Sequence, residues 1–508
     1  MKNQIAKIIS IILFLASIGC NDAWEDQKKI NPDTPDKTLM EMLRSNADYS
    51  KFSDALTETG LDKLLNSTKL YSVWVPSNNS IDALPDDSAS LYMWVANHIM
   101  VGAERIDNLE FSSVRLKMLS GKVLEINTDE STIDKISFDP TYIVAKNGIY
   151  YQLEGILTPI INMWEYVENV APSNEHVNYI NSLSGEVFDP DSADIVGYTQ
   201  SGFPIYDTLS GMVWKNLFLE DVADLSSEDS TYTMFIVDDP VFDSEYQKYF
   251  QYFKITSGIT KKDSLRNSAV CKYKITKDYV ITTTYTYDEL PSYVISPEYV
   301  KVPVDKSAIH NMYKCSNGWV YHISDCSIAK SDKILPIIVE GEAEDRIYDN
   351  YWINGHEMDG DQYGYKRINP YASGGFDYVV DNWTTNVIGS GLVLHAGQVA
   401  STRYKFYLRA VHDFNGSFRR PKAAGYVLNQ RLGWATLISE SLNGYNFNPP
   451  LWVSDTIAVT DSTYINAPEI EVGTYKFTSM KDAYLWLQSF DNGAAVVADY
   501  IKLVPDFN

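Results

Sequence analysis

Apolar positions along this chain change period, and each change predicts a change of structure. Leu39, Met42 and Leu43, then Phe52 and Leu56, then Leu61, Leu64 and Leu65 recur at the three- and four-residue spacing that lines one face of a helix. With Gly60 as a stop, this spacing predicts two or three short amphipathic helices. Leu70 to Pro76 (LYSVWVP) then alternates as a strand does, and Pro76-Ser77-Asn78-Asn79 predicts the turn that ends it. Beyond Pro336 the helical period disappears. Val339-Glu340-Gly341-Glu342, Phe376 to Val380, Lys405 to Ala410 and Asp499 to Val504 predict strands separated by Gly, Asn, Asp and Ser turns, hence an all-β sandwich of roughly 170 residues.

The chain also repeats itself. Tyr232 to Asp243 (YTMFIVDDPVFD) lines up with Tyr71 to Asp82, and Asn317 to Ile323 (NGWVYHI) with Asn147 to Leu153 (NGIYYQL). The separations are 161 and 170 residues, equal to within an insertion, so a second copy of the first folded region is expected from about Asn162 to Leu335.

Ahead of the folded part, Lys2 and Lys7 precede an apolar run, Ile8 to Ile18, that closes on Ser17-Ile18-Gly19-Cys20. This reads as an export signal, since roughly 11 apolar residues fall short of the ~20 that cross a bilayer. Cysteine directly after glycine resembles the lipobox of bacterial lipoproteins, which implies acylation of Cys20 as the mature N-terminus; Ser17 departs from that family's usual leucine. Asn21 to Asp26 (NDAWED) puts acid behind the cysteine and resembles the surface-export signals of some Gram-negative lipoproteins. Glu25 to Lys37, polar with two prolines and no period, reads as a tether.

A formal charge of −25 excludes nucleic acid as a partner, because that affinity comes from clustered Lys and Arg. Hydrophobic residues make up 45% of the chain, enough for a core in each of about three domains. Besides Cys20 the cysteines are Cys271, Cys315 and Cys326; an exported chain can pair two of them, and sequence does not say which.

Thr38 to Leu43, Phe52 to Leu56, Gly60-Leu61, Tyr71 to Ile81, Val95-Ala96-Asn97-His98-Ile99, and Asn147 to Pro159 together resemble a fasciclin domain, with His98 in the family's histidine-bearing motif. That resemblance implies a small α/β wedge used in adhesion and extracellular assembly, with no catalytic residue. The repeat then implies a second, diverged fasciclin-like domain, in which Lys254 stands near where His98 would fall. The order Glu-Gly-Glu, Ser373 to Phe376, Tyr404 to Arg409 and Asp499 to Leu503 resembles jelly-roll carbohydrate-binding modules. The expected chain is thus an α+β multidomain protein. It has a signal peptide at 1–20, a tether at 21–37, fasciclin-like α/β wedge domains at 38–161 and 162–335, and a jelly-roll-like all-β sandwich at 336–508.

No two histidines stand four apart on a helix, His356-Glu357 lacks the second histidine of a zincin, and there is no Gly-x-Ser-x-Gly elbow, so an enzyme is not expected. Asp359-Gly360-Asp361 and Asp189 to Asp194 read as solvated acidic loops, because neither completes an EF-hand. Glu340 and Glu342, two apart on one strand face, with Asp499 on the closing strand, are the candidate calcium ligands; the resemblance implies a structural ion, and no cofactor is otherwise required. Aromatics beside amides are the candidate sugar surface: Trp352 with Asn354, Tyr371, Trp383 beside Asn382, and Trp452, within a wider set including Tyr351, Tyr445 and Phe447. Partners implied are the outer membrane through a lipid anchor, a polysaccharide or oligosaccharide, and a TonB-dependent transporter with its surface lipoproteins. The alternative is an adhesion or assembly protein acting through its fasciclin domains without sugar.

Overall fold

The computed structural model describes residues 36–108, 111–256, 260–343, 362–382, 391–411, 427–441, 444–454, 456–459, 469–489 and 495–508. Contacts divide them into two units. One runs to Met163 and includes Ser227–Ser230 and Cys315–Asn317; the other holds Trp164–Ser226, Thr231–Lys314 and Gly318–Asn508.

The first unit opens on the helix Leu39–Arg44. Thr38 caps it: its hydroxyl accepts from the Glu41 N–H, and the Glu41 carboxylate accepts from the Thr38 N–H. The next helix, Ser50–Glu58, buries Phe52, Ala55 and Leu56 as their spacing predicts. Gly60 follows at φ 74°, where a helix end favours glycine. The strand Tyr71–Pro76 lies at the centre of a four-stranded sheet, antiparallel to Ile99–Val101 and parallel to Gly148–Leu153, with Ile143–Ala145 beyond. All six of its residues are buried, where alternation predicted one face in water. The reason is a layer on each side, as a parallel pair requires. Val73 and Val75 pack under the helices with Leu39, Phe52 and Leu56. Trp74 and Tyr151 pack on the other side against Ile126 and Ile133, which come from a separate four-stranded antiparallel sheet running from Ser113 to Ser137, and against Phe138 just beyond it.

Asn147 and Gly148 tie the layers together. Asn147 Oδ1 accepts from the Leu39 N–H at 2.8 Å, while its Nδ2 donates to the carbonyls of Leu65 and Ser67. The first helix is thereby pinned to the start of the parallel strand. Gly148, at φ 149°, lies so close to Tyr71 that a Cβ would sit 2.0 Å from its carbonyl oxygen. His98 pins the other end: its Nδ1–H donates to the Trp94 carbonyl at 2.8 Å and its Nε2 accepts from the Leu157 N–H at 3.0 Å. Burial lowers its pKa to about 4.

The central sheet of the repeat is reproduced strand for strand. Tyr232–Val237 pairs parallel with Gly318–Ile323, Tyr232 standing opposite Gly318 as Tyr71 stands opposite Gly148. Val280–Ile281 and Ile309–Cys315 flank them in the same order. Asn317 Oδ1 accepts from the Met163 N–H at 2.9 Å, and a Cβ on Gly318, at φ 144°, would stand 1.9 Å from the Tyr232 oxygen. The histidine position differs from expectation. Ser72 opposes Met100 and Thr233 opposes Ile281, so Tyr279, fully buried, occupies the place of His98. Lys254 stands elsewhere, displaced because this copy inserts the 16-residue helix Lys261–Thr276; its carbonyl accepts from the Met480 N–H. The cysteines also differ from the paired expectation. Cys271, Cys315 and Cys326 are all buried and none is bridged to another, and burial raises the thiols of Cys271 and Cys326 to about 12.

After Lys333 every described element is a strand, apart from one turn at Ser373–Gly375. A four-stranded sheet contains Arg403–Arg409 and Tyr500–Asp506; facing it is a sheet of Gly391–Val399, Lys481–Ser489, Leu428–Ala435 and Leu451–Trp452. Tyr404, Phe406 and Leu408 meet Leu392, Leu394, Leu432, Leu485 and Leu487 between them. The same apolar cluster continues into the second fasciclin-like region through Tyr252, Phe253 and Val302. Backbone bonds cross there as well, from Ser401 N–H to Tyr252 O and from Met480 N–H to Lys254 O, each 2.7 Å.

Two measurements check this account. Gly148→Ala and Gly318→Ala are each expected to cost several kcal/mol or prevent folding, whereas Gly60→Ala, with no atom within 4 Å of its new Cβ, costs about 1–2 kcal/mol. Equal losses at all three would contradict the close-approach explanation. His98 is the second. Its folded pKa lies below the unfolded value of ~6.5, so it contributes stability that is complete above that pH and is lost as pH falls toward about 4. The loss is on the order of 3 kcal/mol. Denaturant midpoints between pH 7 and 5 should fall steeply in the native chain and less so in His98→Asn.

Candidate functional site: an aromatic sheet face and a buried charge network

In the strand Lys481–Ser489, Ala483, Leu485 and Leu487 point into the sandwich core, so Tyr484, Trp486 and Gln488 occupy its outer face. There Tyr484 and Trp486 form a second cluster with Val393 and Ala435, against which Leu437, Phe447 and Trp452 pack. Phe447 meets Tyr484 and Trp486 edge-on at 5.0 and 5.5 Å. Trp452 stands opposite Gly433 in the sheet register, and a Cβ at Gly433 would lie 2.9 Å from the indole. The missing side chain gives the ring room to lie across the strand. Over that ring sits the Arg431 guanidinium, 3.6 Å from its centroid, with its Nη2 donating to Gln488 Oε1 at 2.7 Å. At the other end His395 stacks on Tyr484 at 4.6 Å and pairs with Asp482 at 2.6 Å. Flat rings, a planar donor fork and an amide are thus gathered on one face.

Of the ligand residues expected from sequence, Trp452 is placed on this face. Tyr371 is in another neighbourhood, at the second feature of the sandwich. Trp352, Asn354 and Trp383 lie outside the described residues, as do Cys20 and Asp359-Gly360-Asp361. Sequence reasoning missed Arg431, Gln488, Tyr484 and Trp486. The signal was present: in Tyr484-Leu485-Trp486-Leu487-Gln488 leucine alternates with ring or amide, which puts the two sets on opposite faces.

The second feature is a network of buried charge. Asp377 receives Arg367 through two hydrogen bonds and Asn369 Nδ2 through a third. Asp499, fully buried, receives the Ser373 N–H at 2.9 Å and the Arg409 guanidinium, whose Nη2 also donates to the Tyr371 carbonyl. Tyr371 and Asp499, expected to serve ligand and metal separately, are therefore joined through Arg409.

The calcium expectation does not fit this arrangement. Glu340 and Glu342 line an open cavity with His395, while Asp499 is turned to Arg409, whose positive charge stands where an ion's would be needed. Among the described residues no three His, Cys, Asp or Glu side chains are placed to hold a metal ion. Burial, then Glu342 and Asp499, push the Glu340 carboxyl above its ordinary range, and Arg409 only partly offsets them. Burial likewise raises Asp499, against the Ser373 and Arg409 hydrogen bonds. Asp189, in the other acidic loop, binds the Asp191 N–H and Lys215.

A raised carboxyl pKa means that the folded state holds its proton longer, so stability falls as pH climbs from ~4 through the folded value. Glu340→Gln is therefore expected to raise the melting temperature at neutral pH and to leave it unchanged near pH 4, and a chelator should change neither. A chelator-induced drop of several degrees would restore the calcium reading.

Residues 47–159 match the fasciclin domain family model. The chain is 26% identical over 147 residues to human stabilin-1, covering 25% of this chain and 6% of that one. It is 28% identical over 137 residues to the pig transforming growth factor-beta-induced protein ig-h3, covering 25% and 20%. It thus spans a fifth or less of these relatives. Among solved structures, a FAS1 domain pair from the insect cell adhesion molecule fasciclin I aligns over 57% of this chain and all of that one, at 12% identity and a TM-score of 0.21. A family 35 carbohydrate binding module from Clostridium thermocellum aligns over 34% and 99%, at 12% identity and a TM-score of 0.20. Among the described residues no helix is long and apolar enough to cross a membrane. Residues 47–159 of this chain are a fasciclin domain.

Proposed function

We propose that the chain is a non-catalytic cell-surface protein that binds polysaccharide on the outer face of its C-terminal sandwich. One observation carries the reading: half-buried Trp452 lies across Gly433 beneath Arg431, backed by the buried Gln488, Tyr484 and Trp486 of the same sheet face. Sugar rings present C–H faces that stack on aromatic rings, and their hydroxyls take hydrogen bonds from planar forks and amides. The Gly19-Cys20 step after the apolar run supports an acyl anchor on an outer membrane facing outward. An anchored glycan binder in that position is suited to serve a TonB-dependent glycan-uptake complex.

The fasciclin match favours a second reading, in which residues 47–159 dock on another protein and the sandwich extends the stalk. Electrophoresis of the full chain through gels holding soluble plant or microbial polysaccharides separates the two. Trp452→Ala is expected to lose retardation equivalent to roughly 1–3 kcal/mol of binding, the scale for truncated interface aromatics, with an unchanged melting temperature. Trp434→Ala, in the core, should instead lower stability by ~3–5 kcal/mol. No retardation by any polysaccharide would favour the docking reading.

A further inference from the structure

Between the helices Glu175–Ser182 and Leu217–Asp221 the chain leaves the second fasciclin-like region as two successive ribbons, each two strands wide. Ser184–Phe188 pairs with Met212–Asn216, and farther out Ile195–Tyr198 pairs with Pro204–Tyr206. Isolated two-stranded ribbons usually stay soluble by carrying polar side chains on their exposed surfaces. This arm does the opposite. Leu209 is 83% exposed, Trp214 and Phe203 69%, Tyr198 66%, Val196 64% and Ile195 52%, and Val187, Phe188, Ile205, Met212 and Leu217 are exposed as well.

Register shows how the apolar groups line up. Phe188 stands opposite Met212 and Trp214 opposite Glu186, so Phe188, Met212 and Trp214 share one face of the inner ribbon. In the outer ribbon Ile195 opposes Tyr206 and Tyr198 opposes Pro204, on one face across a bulge. The Phe188 and Tyr206 rings meet edge-on at 6.0 Å and join the two faces into a stripe from Trp214 to Tyr198. Over both faces the exposed apolar side chains amount to on the order of 1,000 Å², so each face carries about as much as the largest patch on a typical monomer, ~300–600 Å². A standard protein interface covers ~800 Å² per partner.

Charge decides what covers it. Five acids lie along the arm, Glu186 opposite Trp214 and Asp189, Asp191, Asp194 and Asp207 in and beside the turns, and Lys215, the arm's one basic residue, is paired with Asp189 and Glu220. A second copy would set acid against acid on a chain that already carries −25, and an anionic lipid surface would be repelled in the same way. The aliphatic share of the arm's exposed surface, from Ile195, Val196, Leu209 and Met212, offers a sugar neither a flat ring nor a hydrogen bond.

We propose that this arm is the docking element for a different protein, one that presents an apolar groove rimmed by lysine and arginine. The apolar stripe supplies affinity, and the acids along the arm select the partner and speed encounter. The sheet-face reading for sugar is independent of it.

Photo-crosslinking residues at Tyr198 and Trp214, with Tyr299 as an exposed control outside the arm, test this on the full chain in cells that naturally produce it. The expected result is one protein captured at both arm positions and not at Tyr299, through a peptide rich in lysine or arginine. Co-purification of that protein should fall at least tenfold in Tyr198→Ser/Trp214→Ser and with rising salt, at an unchanged melting temperature. Crosslinks between two copies, crosslinks confined to lipid or glycan, or no arm-specific capture would each overturn the proposal. So would a melting temperature several degrees lower in the double variant, since the stripe would then be internal support.

Discussion

Each wedge is organised by an asparagine followed by a glycine. Asn147 and Asn317 use one side-chain oxygen to hold the N–H that begins the first helical segment, at Leu39 and Met163, and their amide hydrogens to hold carbonyls on neighbouring segments. A buried amide left half-bonded is costly, so these contacts specify one arrangement of helix and strand. The glycine that follows lets the parallel strands meet with no side chain between them. Everything else in the wedge, the helical layer on one side and the apolar layer on the other, is built against that pair of strands.

The two copies show what such a frame tolerates. In the first, the segment before the outer strand ends in His98, which bonds two backbone groups. In the second, Tyr279 fills the place within an apolar cluster, and a longer helical connection leads up to it. The register of the central strands is the same in both, because it is set by the Asn-Gly step and not by the residue that closes the turn.

These relations explain what the sequence disclosed. Local patterns were legible: the capping of Leu39–Arg44 by Thr38, the stop at Gly60 and the paired motifs at Tyr71 and Tyr232 all depend on neighbours along the chain. The place of Lys254 was misread because an inserted helix shifts the count, and only strand register corrects it. The face around Trp452 was seen only in part, since Arg431, Gly433 and Gln488 come from two other strands whose order no local pattern reveals. Arg409 was missed for the same reason. Acids at Glu340 and Asp499 suggest a cation when read alone, and the guanidinium that meets Asp499 comes from a strand about 90 residues away.

The apolar cluster common to the second wedge and the sandwich bears on how such a chain can be inherited. Tyr252 packs on Phe507, and its carbonyl takes the Ser401 N–H, so residues from distant parts of the sequence finish one another's interior. A sandwich exchanged alone by recombination would leave Tyr252 and Phe253 facing water on one side of the seam, and Phe507 and Met480 on the other. Substitutions along this seam are therefore constrained in pairs, and the boundary near Leu335, visible as a change of pattern, is not a place where the gene can be cut and rejoined freely.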